Sequence, residues 1–421
     1  MESPSYIDLK APFRRNFEEY FLKRNPFPAI GVPIDTPVIT ADREKIIENF
    51  RRMISSLVEN EDSLLTVMVG EYGSGKSHLL KLFKFNVNNQ LLSRDNGILA
   101  VYIKSPGEIF KEFTLSFIDD IGRTLLQNIS EEMIKDFLKE TRNIKRYIHN
   151  ETVINKIYND TATIQEIFLN TPVINIIRDV IISKFQIVRN KDVCRAVLSL
   201  SYHLKASLSW RWLLGENLSR TDKDSLEVNS SIDNNNAYDT LLDFIKTLNC
   251  IGIKKIVLLA DELEKIVQLT KTKRDQYQND LRQFIDDNPT NMMFYFSMSP
   301  RQWKELTQET SALVRRLSGN WYLLDEFEEE DILELIEKYL STVRTENYSG
   351  KVAKKTYPNL KPSLSPFSEE SIVTIKEITE GVASQILLLC RKSLNYLHDN
   401  RNNFDHISSD LVKEAYTFRG G

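Results

Sequence analysis

The stretch Val67-Met68-Val69-Gly70-Glu71-Tyr72-Gly73-Ser74-Gly75-Lys76-Ser77-His78-Leu79-Leu80 constrains this chain more than any other. It reads G-x-x-x-x-G-K-[ST], with the apolar run Leu64–Val69 before it and a leucine-rich helical pattern behind it, the strand-loop-helix context that the motif requires. Glycines at 70, 73 and 75 let the backbone bend and turn successive N–H groups onto a polyphosphate at a helix N-terminus. Gly70, Gly73, Ser74, Gly75, Lys76, Ser77 and His78 are therefore the expected phosphate-binding residues. Lys76 reaches the β/γ-phosphates and Ser77 offers its hydroxyl to Mg2+ in this reading. The competing reading is a glycine-rich turn that matches by chance, and the flanking strand and helix weigh against it.

Further apolar runs supply the rest of a sheet. Ile98–Ile103 is short and continuously apolar, the pattern of a parallel strand buried on both faces. The next such run is Ile256–Ala260, far beyond the dozen or so residues that a crossover needs, so a domain-sized insertion is expected between them. Asp261 and Glu262 follow that run directly. At the carboxyl end of a central strand, Asp261 can hold Mg2+ through water, and Glu262 can orient and deprotonate an attacking water. An acidic cap on a helix after a strand is the alternative. Met292–Pro300 is the next buried run; Ser299, or alternatively Ser297, is placed to sense a γ-phosphate, in competition with a serine capping the next helix. Arg315 and Arg316 stand shortly before a last short strand, Trp321–Leu324, where in an oligomer an arginine reaches a neighbour's γ-phosphate. As rim charges on an apolar helix they need no such role.

The insertion reads helical throughout: Glu108–Asn128, Ser130–His149, Asp160–Leu169, Ile174–Phe185 and Lys191–Leu204 carry apolar residues at three-and-four spacing, with Ser130 and Asp160 as N-caps. Arg142, Lys145 and Arg146 beside Tyr147 form its local basic cluster, read as a solvated face or a phosphate-contacting patch. Trp210-Arg211-Trp212 reads as packing or as a base-stacking surface. Residues 219–237 read as a polar loop and Tyr238–Leu248 as a helix. Ahead of the loop motif, Phe13–Leu22 is a short amphipathic stretch, Gly31–Pro37 is extended, and Ala41–Leu57 is a helix. From Asp331 onward Asp331–Val343, Ser368–Thr379, Val382–Leu397 and Ser408–Ala415 are helical, interrupted by Pro358, Pro362 and Pro366, with Gly381 at a helix end.

Composition excludes several classes. The 421 residues are 41% hydrophobic, enough for a substantial core, and 59 acidic residues against 55 basic ones give a formal charge of −4, with no global signature of nucleic-acid binding. Any contact with DNA must be local. The three cysteines, Cys194, Cys250 and Cys390, lie far apart without metal or redox spacing and are expected to be reduced core residues. No apolar run reaches the ~18 residues of a membrane span and the N-terminus lacks the plan of a secretory signal, so a cytoplasmic protein without membrane contact is expected.

In this order, over roughly residues 31 to 421, the chain resembles AAA+ ATPases. The implied fold is α/β: a doubly wound parallel sheet as AAA+ core with a large helical insertion and a C-terminal helical lid. The expected domains are an N-terminal arm at 1–30, a nucleotide-binding core at 31–325 with its insertion at about 129–237, and a lid at 326–421. The segment Phe367–Ala415 is similar to lids of the Orc/Cdc6 initiator group. A closer resemblance is to the ATP-binding proteins of BREX-type defence systems, carried by Gly70–Leu80, by Trp212-Leu213-Leu214-Gly215-Glu216 and by Arg274–Asp287. The resemblance implies ATP and Mg2+ as cofactors. It also implies hydrolysis in a homo- or hetero-oligomer with sites at subunit interfaces, and DNA or DNA-processing proteins as partners, plausibly in defence against foreign DNA. A nucleotide-gated interaction module and an Orc/Cdc6-like DNA-binding switch are the alternatives. Two departures stand out. Initiator-type lids carry an arginine three residues after the glycine at 381, where this chain has Ser384, with Arg391 further along the same helix face as a substitute. The initiators' C-terminal winged helix has no counterpart, which counts against an initiator role.

Overall fold

The computed structural model describes residues 15–29, 39–41, 43–59, 64–93, 96–169, 174–288, 290–309 and 311–418. The expected extended run Gly31–Pro37 lies outside them. The five apolar runs form β1 (Leu65–Gly70), β2 (Ile98–Ile103), β3 (Lys255–Ala260), β4 (Met292–Met298) and β5 (Trp321–Leu324). They make one sheet in the order β2-β3-β4-β1-β5. The pairs β2–β3, β3–β4 and β1–β4 are parallel. Continuous apolar sequence matches burial on both faces: every residue of β1 and β4 is buried. β5, at the edge, exposes Trp321 and Leu323 and buries Leu324. The connection leaving β1 runs toward the β2 edge and the one leaving β4 crosses back to β5, so the winding reverses beside β1, where open sheets of this kind bind ligands at their carboxyl ends.

The chain divides into two compact units. One comprises Asn49–Gly70 and Leu80–Leu323; the other comprises Met1–Glu48, Glu71–Leu79 and Leu324–Gly421. The first contains the sheet and the insertion. Helix α1 (Glu44–Val58) and helix α2 (Lys76–Gln90) both extend into it. There Phe50 stacks on Phe83 at 3.9 Å between ring centroids, and Tyr295 of β4 meets both rings edge-on. Each such aromatic pair adds about 0.5–1.5 kcal/mol beyond simple burial.

The insertion is helical as expected, with different boundaries. The first helix ends at Ile121, because Gly122 adopts φ +83°, and a second runs over Arg123–Glu140. Ser130 therefore lies inside a helix; its buried hydroxyl stands 2.7 Å from Leu126 O and 3.0 Å from Val197 O, tying that helix to Lys191–Ser199. Asp160 is not the N-cap of the next helix, which begins at Ile164. It is left-handed at φ +58° and pairs with Lys139, and Thr163 starts the next helix through a reciprocal exchange with Glu166. The basic residues Arg142, Lys145 and Arg146 are exposed around a single 3-10 turn, and Lys145 is paired with Glu151. Trp212 is packing: its ring is 1% exposed and its Nε1–H donates to Ser230 O at 2.8 Å. The polar stretch 219–237 holds a short helix, Arg220–Leu226, capped by Ser219. Tertiary bonds rather than propensity hold this stretch: Asn229 donates its backbone N–H to buried Asp192 at 2.7 Å, and Glu227 accepts from Arg178, whose side chain is 5% exposed, at 2.5 Å.

The second unit is built on the helices Glu329–Ser341, Glu369–Thr379, Ala383–Asp399 and Ser409–Thr417, with a short additional helix at Gly350–Thr356. Phe17, Tyr20, Leu22 and Phe27 are buried in its core. Phe27 stacks on Tyr339 at 5.6 Å and meets Phe367 edge-on at 5.8 Å. The N-terminal segment is thus core material for the lid helices, and only Glu18–Tyr20 of the expected amphipathic stretch forms a helical turn. Among the described residues no helix is long and apolar enough to cross a membrane.

Cys194 and Cys390 are buried and Cys250 is half-buried. Burial pushes the Cys194 thiol up to about 11 and raises both others. Since the thiolate is the reactive species, native protein treated with iodoacetamide at pH 8 is expected to keep Cys194 and Cys390 unmodified by peptide mass mapping, whereas denatured chains alkylate all three. Labelling of native Cys194 at the denatured rate would contradict this burial.

Candidate functional site

The site grows from two strand ends and a loop. Parallel register sets Ala260 of β3 and Val67 of β1 against the same β4 residue, Phe296. Both strands therefore end at one edge of the sheet, with β4 between them. One residue past Ala260, Asp261 is 2% exposed, and the same register carries it alongside Ser297. Three donors hold its carboxylate: the Ser297 hydroxyl to Oδ1, the Glu262 backbone N–H to Oδ1 at 3.0 Å, and the Tyr102 hydroxyl of β2 to Oδ2 at 3.1 Å. A buried carboxylate so anchored is fixed in direction and stays a hard oxygen ligand.

Glu262 has φ +51°, a left-handed conformation that costs a non-glycine residue on the order of 1–2 kcal/mol. This turn lifts its side chain away from the strand, one-third exposed and paired with Lys265 at 2.5 Å. Ser299 is 2% exposed and occupies the N-cap of Pro300–Thr307, but its hydroxyl donates to the Gln302 side chain rather than to a backbone N–H. Of the two serines on this strand, Ser297 is the one that meets Asp261. Arg315 and Arg316 are both exposed on the short helix Ala312–Leu317. Arg316 is paired with Asp286 at 2.9 Å, whereas Arg315 has no ion-pair partner among the described residues.

In the other unit, the loop after Gly70 bends through Gly73 at φ +84° and Gly75 at φ +101°, and α2 begins at Lys76. A Cβ on Gly73 would stand 3.0 Å from Val382 Cγ1, while a Cβ on Gly75 would meet nothing within 4 Å, so the loop is backed on one side and open on the other. Lys76 is 8% exposed; its ammonium donates to Glu71 O at 2.9 Å and lies 5.6 Å from the Tyr72 ring centroid. Among the described residues, Ser74 Oγ is buried without a hydrogen-bond partner. Ser77 is half-buried at the first turn of α2, and His78 Nε2 lies 2.7 Å from Ile39 O. Two left-handed glycines, a lysine and a hydroxyl at a helix N-terminus are a donor set that fits a polyphosphate. Among the described residues no three His, Cys, Asp or Glu side chains gather around a metal. Ser384 donates its backbone N–H to Gly73 O at 3.1 Å, and Arg391, the candidate lid arginine, instead donates to Phe27 O at 2.6 Å.

A family model described as BREX system ATP-binding protein BrxC/D matches residues 185–333. The chain resembles these BREX proteins. Two of the three stretches that carried the resemblance, Trp212–Glu216 and Arg274–Asp287, lie inside the matched residues, whereas Gly70–Leu80 lies outside. Among solved structures, the chain is similar to the Aeropyrum pernix Orc1 protein in complex with DNA (9% identity, 92% of this chain and 68% of that one, TM-score 0.44). It is also similar to the A. pernix Orc2 protein in ADPNP–ADP complexes (10% identity, 92% and 70%, TM-score 0.46) and to the Walker-type ATPase PABY2304 of Pyrococcus abyssi (14% identity, 89% and 72%, TM-score 0.37). These likenesses are distant, and the α/β assignment stands on the sheet order and register. No curated protein matches the chain in sequence.

Two contributors to this site escaped the reading of the sequence. Tyr102 breaks the otherwise aliphatic run Ile98–Ile103, and a hydroxyl on a strand paired with β3 was the available signal. Arg43, at the start of α1, gave no signal at all. For the Asp261 anchor, Ser297→Ala removes one charge-assisted hydrogen bond, about 1.5–3 kcal/mol. Its expected effect is a roughly tenfold or larger drop in nucleotide turnover, read by steady-state phosphate release, with a melting temperature lowered by a few degrees.

Proposed function

We propose that this chain binds Mg2+-ATP and hydrolyses it, with Lys76, Ser77, Asp261 and Glu262 serving one nucleotide. The observation that carries the reading is the buried, triply anchored Asp261 at the sheet edge where β1 gives way to the glycine loop. β1 and β3 run about 10 Å apart, two strand spacings with β4 between them, and both end at the same edge of the sheet. Loop N–H groups and Lys76 hold the phosphates, and Ser77 and Asp261 hold the ion, which when bound neutralises charge on the β- and γ-oxygens. Glu262 takes the proton of a water that attacks the γ-phosphorus; the bond to the bridging oxygen breaks, leaving ADP and phosphate. Arg315, exposed and unpaired among the described residues, is the better candidate to reach a neighbouring subunit's nucleotide, since Arg316 is held by Asp286. The similarity to BREX proteins supports work on a DNA-associated complex in defence, in a homo- or hetero-oligomer.

The test is phosphate release per subunit as protein concentration rises, alone and with single- or double-stranded DNA. A shared site predicts rising specific activity, and strict proportionality rules it out. A second reading, an interaction module gated by nucleotide with little turnover, is favoured by Ser384 at the lid-arginine position. Tight ATP binding without phosphate release at any concentration would select it.

A further inference from the structure

The glycine loop is gripped from behind by residues that belong to no nucleotide motif. Arg43 is 6% exposed. Its Nη2 donates to Asp325 O at 3.1 Å and, at the long limit of 3.5 Å, to Ser74 O, while its guanidinium carbon lies 4.4 Å from the Phe327 ring centroid. Phe327 donates its backbone N–H to Gly381 O at 2.9 Å. Gly381 has φ +75°, and a Cβ there would stand 2.5 Å from Phe327 O, so this contact requires glycine. Three residues on, the Ser384 N–H reaches Gly73 O at 3.1 Å. Contacts and chain thus close a ring: Ser74, Arg43, Asp325–Phe327, Gly381–Ser384 and back to Gly73.

The geometry of the peptide bond gives this ring a consequence at the phosphate. In a trans peptide the C=O of one residue and the N–H of the next point in opposite directions. Holding Gly73 O from the Ser384 side fixes the Ser74 N–H, which is spent inside the loop on Glu71 O at 3.2 Å. Holding Ser74 O from the Arg43 side fixes the Gly75 N–H the opposite way, at the residue whose open side meets no protein atom. A free loop would have to order these two peptide planes when phosphate binds, at a cost in conformational entropy.

We propose that Arg43 is a positioning residue for the nucleotide site: by gripping the Ser74 carbonyl it aims the Gly75 N–H at phosphate, and by gripping Asp325 O it ties that aim to the segment that leads into the lid. In this chain the lid is coupled to the nucleotide through the loop backbone, with the Ser384 amide standing where an arginine would otherwise reach for phosphate. The inference rests on the nucleotide-binding reading above.

The experiment compares ATP and ADP affinities, by titration with a fluorescent nucleotide analogue and competition, for native protein, Arg43→Ala, Arg43→Lys and Ser384→Pro. Proline at 384 removes the amide donor within the first helical turn, where it breaks no intrahelical bond. Arg43→Ala is expected to weaken both nucleotides about tenfold at temperatures where it is fully folded, the loss of one charge-assisted contact. Arg43→Lys, which keeps the cation but not the planar guanidinium whose Nη2 meets both carbonyls, is expected to fall between. Ser384→Pro is expected to weaken binding, and its combination with Arg43→Ala to be less than multiplicative, because both act on one bend. Native affinity in folded Arg43→Ala overturns the inference. If that variant does not fold, native affinity in Arg43→Lys overturns it. Failure of the native chain to bind nucleotide sinks the underlying reading instead.

Discussion

Glu262→Gln is expected to bind Mg2+-ATP about as tightly as the native chain and to hydrolyse it at least about a hundredfold more slowly, the usual range for losing a general base. The substitution is nearly isosteric and sits on a side chain that is one-third exposed, so packing around it is undisturbed. Its neighbour Asp261 keeps all three anchors, since the Glu262 contribution is a backbone N–H. What changes is the capacity to accept a proton. The left-handed backbone at 262 points to the same role, because a strained non-glycine conformation persists where surrounding structure enforces it. Single-turnover hydrolysis measured beside equilibrium ATP binding checks the split. Hydrolysis within about threefold of native would remove Glu262 from the chemistry, and a parallel loss of binding would make it structural.

Lys76→Ala is expected to abolish nucleotide binding in the micromolar range, a loss of at least about a hundredfold, or roughly 3 kcal/mol. The loop itself should survive. Its bend is set by Gly73 and Gly75 and backed by Val382 and Ser384, whereas the Lys76 ammonium meets Glu71 O and the Tyr72 ring, both inside the loop. The melting temperature without nucleotide should therefore move little. The informative quantity is the rise in melting temperature on adding Mg2+-ATP: a ligand at a hundred times its Kd stabilises by about 2.7 kcal/mol. Native protein should show that rise and Lys76→Ala should not. An equal rise in both would mean that nucleotide binds elsewhere, and the glycine loop would be a turn and nothing more.

Much of this molecule is legible in its residues, because the strongest local signals agree with the fold. The five strands fall where short apolar runs end in polar or glycine residues, and Ile98–Ile103 has the predicted limits. Fully buried parallel strands need apolar residues on both faces, and few other structures use such runs. Helices of the insertion were visible as a class but not at their ends. Ser130 and Asp160 are good cap residues by type, yet one is buried between two helices and the other is turned left-handed beside Lys139. Cap propensity is worth about 1 kcal/mol, and burial of the apolar residues around these positions outweighs it. The aromatic N-terminal segment read as an arm because nothing local says what Phe17, Tyr20, Leu22 and Phe27 pack against.

The sequence by itself determined the glycine loop with Lys76 and Ser77, the Asp261-Glu262 pair at a strand end, and the α/β class, since each is written in contiguous residues whose chemistry acts over one turn or one strand. Only the tertiary structure decided which serine meets Asp261, which arginine is left unpaired, and that Arg43 and Ser384 hold the loop from behind. Those outcomes depend on register and on pairs hundreds of residues apart. A shift of β4 by a single residue would turn Ser297 to the other face of the sheet and take it from Asp261, and no local pattern reports that shift.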